Sequence, residues 1–119
     1  MLFINFSGEE KGLLGSLYYV NKEPVMDLNK IVAAINMDGI GGIDKNNSAK
    51  TNNYVYIESK KGLSDELVAI ANNMNAASKQ DIKFIDATGM GFSSDNKGFV
   101  NEHVPFIYFS TSPVIVDFD

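Results

Sequence analysis

The residues best placed to do chemistry are the adjacent acids of Ser7-Gly8-Glu9-Glu10-Lys11-Gly12. They follow an apolar run, residues 2–6, and a glycine flanks the pair on each side. In an extended or turning backbone, neighbouring side chains point in different directions. One carboxylate can then hold a cation while the other faces whatever the cation activates, which is metal-assisted hydrolysis in outline. A third acid, Asp38, stands directly after a second apolar run, residues 31–37. Open α/β sheets place their ligands at strand ends of this kind. If the two strands are parallel and a helix joins them, the three carboxylates meet at one rim of the sheet. Carboxylate oxygens accept zinc, magnesium, manganese or calcium, so the acids alone do not name the metal. Plainer readings stand beside this one. Glu9 and Glu10 suit the first turn of the helix that follows, and Asp38 suits a surface turn before Gly39.

Other candidates carry less. Asp95, within Ser94-Asp95-Asn96, can orient a ligand or cap a short helix over 96–100. His103 is the only histidine and reads as a surface residue in a turn. Ser7 and Ser16 have no histidine placed to activate them, which argues against a serine nucleophile. Gly39-Ile40-Gly41-Gly42 follows a strand but lacks the complete dinucleotide fingerprint and leads into a polar loop. Tyr18, Tyr19, Tyr54 and Tyr108 read as packing residues.

The elements that must position these groups follow from periodicity. Residues 2–6 read as a buried strand and 12–21 as a helix, with Leu13, Leu14, Leu17 and Tyr18 at helical spacing. Residues 31–37 form a second buried strand, 42–53 a polar loop, and 54–58 an alternating strand. The longest helix opens at Leu63 or Ser64 and runs to about Ser78, with acids in its first turn and Leu67, Val68, Ile70, Ala71 and Met74 on its apolar face. A short strand covers 82–85, a glycine- and serine-rich loop 86–98, and a last buried strand 104–109. Strands alternating with helices give an α/β fold: a mixed, largely parallel sheet with helices on both faces.

Composition bounds the function. The chain has 119 residues, 45% hydrophobic and 21% charged, which suits one globular domain of moderate core. A net charge of −5 and no basic patch argue against nucleic acid. No apolar run approaches the roughly 20 residues of a membrane helix. The absence of cysteine excludes disulfides, thiolate metal sites and a cysteine nucleophile. The start has no basic n-region and no cleavage site, so no signal peptide is read there, and no compartment follows. It reads as the middle of a sheet cut open, which leads to the expectation of a fragment.

Taken together, the residues resemble a known family. Phe6-Ser7-Gly8-Glu9-Glu10-Lys11-Gly12-Leu13-Leu14-Gly15-Ser16 is similar to the signature of the M28 zinc aminopeptidases, and Ile35-Asn36-Met37-Asp38 resembles that family's next metal-ligand segment. Ser94-Asp95-Asn96 followed by Phe99, then Val104-Pro105-Phe106-Ile107, resembles its later loop and strand. The resemblance covers residues 2–109. It implies an exopeptidase that removes N-terminal residues from peptides. Glu9 would be the general base, Glu10 a ligand of one zinc and Asp38 of the other. Asp95 and Phe99 would lie on the substrate side.

The chain also departs from that family. The family's upstream histidine and bridging aspartate precede the segment present here, and no histidine follows the last strand. Asn96 stands where relatives commonly carry a histidine. The expectation is therefore an aminopeptidase-like domain that, as this chain, binds zinc weakly or not at all and cleaves little. A non-catalytic, peptidase-like interaction domain is the competing reading, and a carboxylate-only calcium or magnesium site a third. Missing strands would leave a sheet edge unpaired, and such edges pair with other chains. Self-association is expected on that ground.

Overall fold

The computed structural model describes residues 1–90 and 94–112. The expected loop over 86–98 lies partly outside these residues, and so does all of the tail after Ser112. Four strands form one sheet in the order β1 (Ala34–Met37), β4 (Phe106–Ser110), β2 (Tyr54–Ser59), β3 (Lys83–Asp86). β1 runs parallel to β4, and β2 parallel to β3, while β2 and β4 are antiparallel. The helices are α1 (Leu14–Asn21), α2 (Asp65–Ser78) and α3 (Asn96–Asn101). This is the mixed α/β fold expected. Among the described residues no helix is long and apolar enough to cross a membrane.

β4 holds the centre because its sequence suits burial on both faces. Phe106, Ile107, Tyr108 and Ser110 are all buried, as a near-continuous apolar strand requires. Registry with β1 pairs Ile35 with Ile107 and Asn36 with Tyr108. Residues alternate across a strand, so Asn36 and Tyr108 share one face. α1 and α3 cover that face through Tyr19, Val20, Phe99 and Val104, with Phe6, Leu28, Ile31 and Ala34 packed around them. Phe6, Tyr19 and Phe99 meet as an aromatic trio with centroids 5.7 to 6.3 Å apart. α2 begins against β4, where the Ser64 hydroxyl, 1% exposed, accepts from the Phe106 N–H at 3.0 Å.

The first expected strand is a correction. Residues 2–6 are not in the sheet, and Leu2, Phe3 and Ile4 are 45, 83 and 41% exposed. These residues make no backbone hydrogen bond among the described residues. An apolar run becomes a strand only where a neighbour accepts from its N–H groups and donates to its C=O groups, and here only Phe6 is anchored, by its ring. Other boundaries shift slightly. α1 starts at Leu14 rather than Gly12 because Gly12 and Leu13 are left-handed, at φ 96° and 60°. β1 starts at Ala34 because residues 28–30 form a short 3-10 turn that Ile31 closes. β4 runs to Ser110 and starts after Pro105.

Candidate functional site

The acidic pair sits on a turn built from backbone. Gly8 and Gly12 bracket the 3-10 turn Glu9–Lys11 in left-handed conformations, φ 74° and 96°, which favour glycine. The Glu9 carbonyl accepts from the Gly12 and Leu13 N–H groups. The first N–H groups of α1 are then satisfied by main chain: Leu14 N–H donates to Gly8 O at 3.1 Å and Gly15 N–H to Ser7 O at 2.9 Å. Neither glutamate side chain caps the helix. Gly15 is needed for this approach, since a Cβ there would stand 2.6 Å from the Ser7 carbonyl oxygen. The turn and the helix are thereby welded, and Glu9 and Glu10 are aimed by that weld.

Asp38 leaves the end of β1, and its N–H still donates to Phe109 O at 3.2 Å. The Ser94 hydroxyl donates to Asp38 Oδ2 at 2.9 Å. The Asn36 amide donates to Ser94 Oγ at 2.9 Å and to Asn96 Oδ1 at 3.3 Å. Ser94 and Asn96 are almost fully buried, at 1 and 4% exposure. This small polar network fastens the segment before α3 to the end of β1. It sets Asp95 beside the sheet end that carries Asp38. Asp95 occupies the cap position of α3 without a side-chain capping bond, and its Oδ1 is buried without a partner among the described residues. The capping role is thus not made.

These acids lie within electrostatic reach of one another. The Glu9 carboxyl is lifted above its ordinary range by desolvation, then by the negative charges of Asp38, Glu10 and Asp95. Tyr108 is raised mainly by burial, with further contributions from Asp38, Glu58 and Glu9. Glu58 was not singled out from the sequence. It lies opposite Tyr108 across the β2–β4 pair, its Oε2 is buried without a partner, and burial pushes its carboxyl up to about 7. Only the strand pairing reveals it; in sequence it is one more acid at the end of a strand.

Of the expected site residues, Glu9, Glu10, Asp38 and Asp95 share one electrostatic neighbourhood. Phe99 does not line it by chemistry of its own; it is buried in the aromatic trio beneath. His103 is exposed, in the turn between α3 and β4. Among the described residues no three His, Cys, Asp or Glu side chains stand close enough to hold a metal ion. The donors present are a partial fit to a zinc centre, which draws on about four ligands per ion.

Comparison with known proteins bears on this arrangement. The family model described as peptidase family M28 matches residues 1–117 of the 119. No curated protein and no solved structure matches the chain significantly. The match takes in the welded turn, the strand end at Asp38 and the network at Ser94 together, and the chain belongs to peptidase family M28.

Proposed function

We propose that this chain carries the carboxylate part of a zinc-dependent aminopeptidase site. The observation that supports it best is Glu9 itself, whose carboxyl is lifted by desolvation first and then by the charges of Asp38, Glu10 and Asp95 near it. A carboxylate with raised proton affinity suits a general base, which takes a proton from attacking water and returns it to the leaving amine. Glu9 has that role here. Glu10 and Asp38 are the metal donors, Asp38 being held in one orientation by Ser94. Asp95 stands on the substrate side beside Glu9, and Phe99 supports the wall from below. The donors among the described residues do not complete a zinc set.

That same shortfall favours a second reading, a peptidase-like domain that keeps the fold and binds partners without catalysis. Metal analysis and leucine-anilide hydrolysis separate the two. The expected result is zinc below one equivalent and slow hydrolysis that Glu9→Gln removes. Hydrolysis at the same rate in both proteins, or none with zinc in excess, would favour the second reading.

A further inference from the structure

Asn36 and Asp38 stand two residues apart at the end of β1, so their side chains leave the same face of the chain about 7 Å apart. That gap is too wide for a direct hydrogen bond. One atom spans it: Ser94 Oγ lies 2.9 Å from the Asn36 amide nitrogen and 2.9 Å from Asp38 Oδ2. The backbone under all three is fixed. Asn36 is paired with Tyr108 of β4, Asp38 N–H donates to Phe109 O at 3.2 Å, and the Ser94 carbonyl accepts from the Lys97 N–H at 3.0 Å as α3 begins.

Donor and acceptor chemistry gives the bridge a direction. An ionised carboxylate only accepts, so the one proton of the Ser94 hydroxyl goes to Asp38. The hydroxyl oxygen is then left to accept, and the Asn36 amide donates to it. The same amide nitrogen donates its second hydrogen to Asn96 Oδ1 at 3.3 Å. With the amide reversed, its oxygen would face the Asn96 oxygen and would claim the Ser94 proton that Asp38 uses. Ser94 and Asn96 are 1 and 4% exposed, and a polar group left unpaired at such depth is costly. The arrangement therefore has one polarity, from Asn36 through Ser94 to Asp38. Ser94 on its own could not supply it, because a serine hydroxyl has several staggered positions and nothing in its own structure selects among them.

We propose that Asn36 is a positioning residue of the site: it turns the Ser94 hydroxyl toward Asp38 and so holds the Asp38 carboxylate in one orientation. This inference rests on the reading of Asp38 as a site carboxylate, and adds the residue that aims it. Asn36 acts through Ser94, and no part of the effect needs its own contact with a substrate. Groups that meet a ligand keep their geometry only where partners lock their rotamers. The alternative is that Asn36 merely ties the segment before α3 to the sheet.

Nuclear magnetic resonance on the whole chain separates the two. Three-bond couplings from the Asp38 carboxyl carbon to its own backbone nitrogen and carbonyl carbon report the populations of its χ1 rotamers. They need neither zinc nor turnover, so failure of this inference and failure of the aminopeptidase reading are told apart. In the unmodified chain one staggered rotamer is expected to hold roughly nine-tenths of the population. Asn36→Leu, of similar shape but without donors, is expected to bring that below about one half, as the Ser94 hydroxyl turns freely. Asn36→Asp keeps the shape and offers only acceptors. It is expected to draw the Ser94 proton away and release Asp38 in the same manner, and it serves if the leucine variant does not fold. An Asp38 already averaged over rotamers in the unmodified chain would overturn the proposal. So would variants that lower the melting temperature and leave the Asp38 couplings unchanged, since Asn36 would then be a tie and nothing more.

Discussion

Two carboxylate regions beside the one sheet are treated in opposite ways. Asp44, in the loop before β2, is fully employed. Its Oδ2 accepts from the Tyr56 hydroxyl at 2.7 Å, its Oδ1 accepts from the Asn46 N–H at 2.8 Å, and its own N–H donates to the Tyr54 hydroxyl. Tyr54 then donates to Thr111 O at 2.6 Å. The Tyr56 hydrogen bond, followed by that from Asn46, draws the Asp44 carboxyl below its ordinary range. At the other region, Glu9 is raised by desolvation and by other acids, Asp95 keeps a buried oxygen without a partner, and so does Glu58. A carboxylate satisfied by its own chain holds a loop in place. Carboxylates that lack such donors among the described residues have raised proton affinity where burial and like charge act on them, as at Glu9 and Glu58, and perturbed groups of that kind concentrate at functional sites. The difference separates scaffold from site where residue type alone cannot.

The contrast can be broken by substitution, and the largest effect is expected at Glu9, the proposed base. Glu9→Gln is expected to lower whatever hydrolysis is measured by roughly 10²- to 10⁴-fold, while Tyr56→Phe leaves it within about twofold. Initial rates on an aminoacyl anilide decide this, and equal losses from both changes would erase the distinction. Next comes the network that fixes Asp38. Ser94→Ala is expected to weaken zinc affinity by about 10- to 100-fold, the usual range for groups that orient a ligand, as read by competition with a chelating dye. A smaller change is expected at the corner. Tyr56→Phe removes the phenol's bond to Asp44 and should lower the melting temperature by about 5 °C, as read by calorimetry.

The smallest effect sharpens the comparison through pH. Glu58 has a folded value of about 7 against 4.5 for the free group, so between these values the folded chain binds more protons than the unfolded one. Stability from this group is then full below about pH 4.5 and is lost as pH rises through about 7. Asp44 runs the other way: its folded value is depressed below 3.8, so its contribution is present above 3.8 and is lost as pH falls through the folded value. Denaturant titrations of Glu58→Gln should show added stability at pH 8 and none at pH 4. Added stability at both would mean that burial of this carboxyl, rather than its charge, is the source.

Local pattern reached some of this and not the rest. α2 was legible nearly to the residue because its period and its first-turn acids are properties of adjacent residues: the expected span opened at Leu63 or Ser64, and the helix is Asp65–Ser78. The end of β1 at Met37, with Asp38 next, was equally local. Residues 2–6 misled for the converse reason. Their apolar run satisfies every local criterion for a strand, but a strand is completed by a neighbour, and the sequence does not say whether one is there. The antiparallel seating of β2 on β4, the pairing of Glu58 with Tyr108, and the bond from Ser94 to Asp38 across 56 positions all depend on that same non-local information. The acids themselves were readable by type and spacing; which of them would lack a partner was not.

Gly15 has no functional group, yet its missing side chain lets α1 press against Ser7 and so points the glutamate pair. A scan that ranks positions by lost turnover would place this glycine among the chemical groups, although it never meets a peptide. Aim, in this molecule, is inherited from an absence of atoms, and a survey for reactive side chains would pass over the position that directs them.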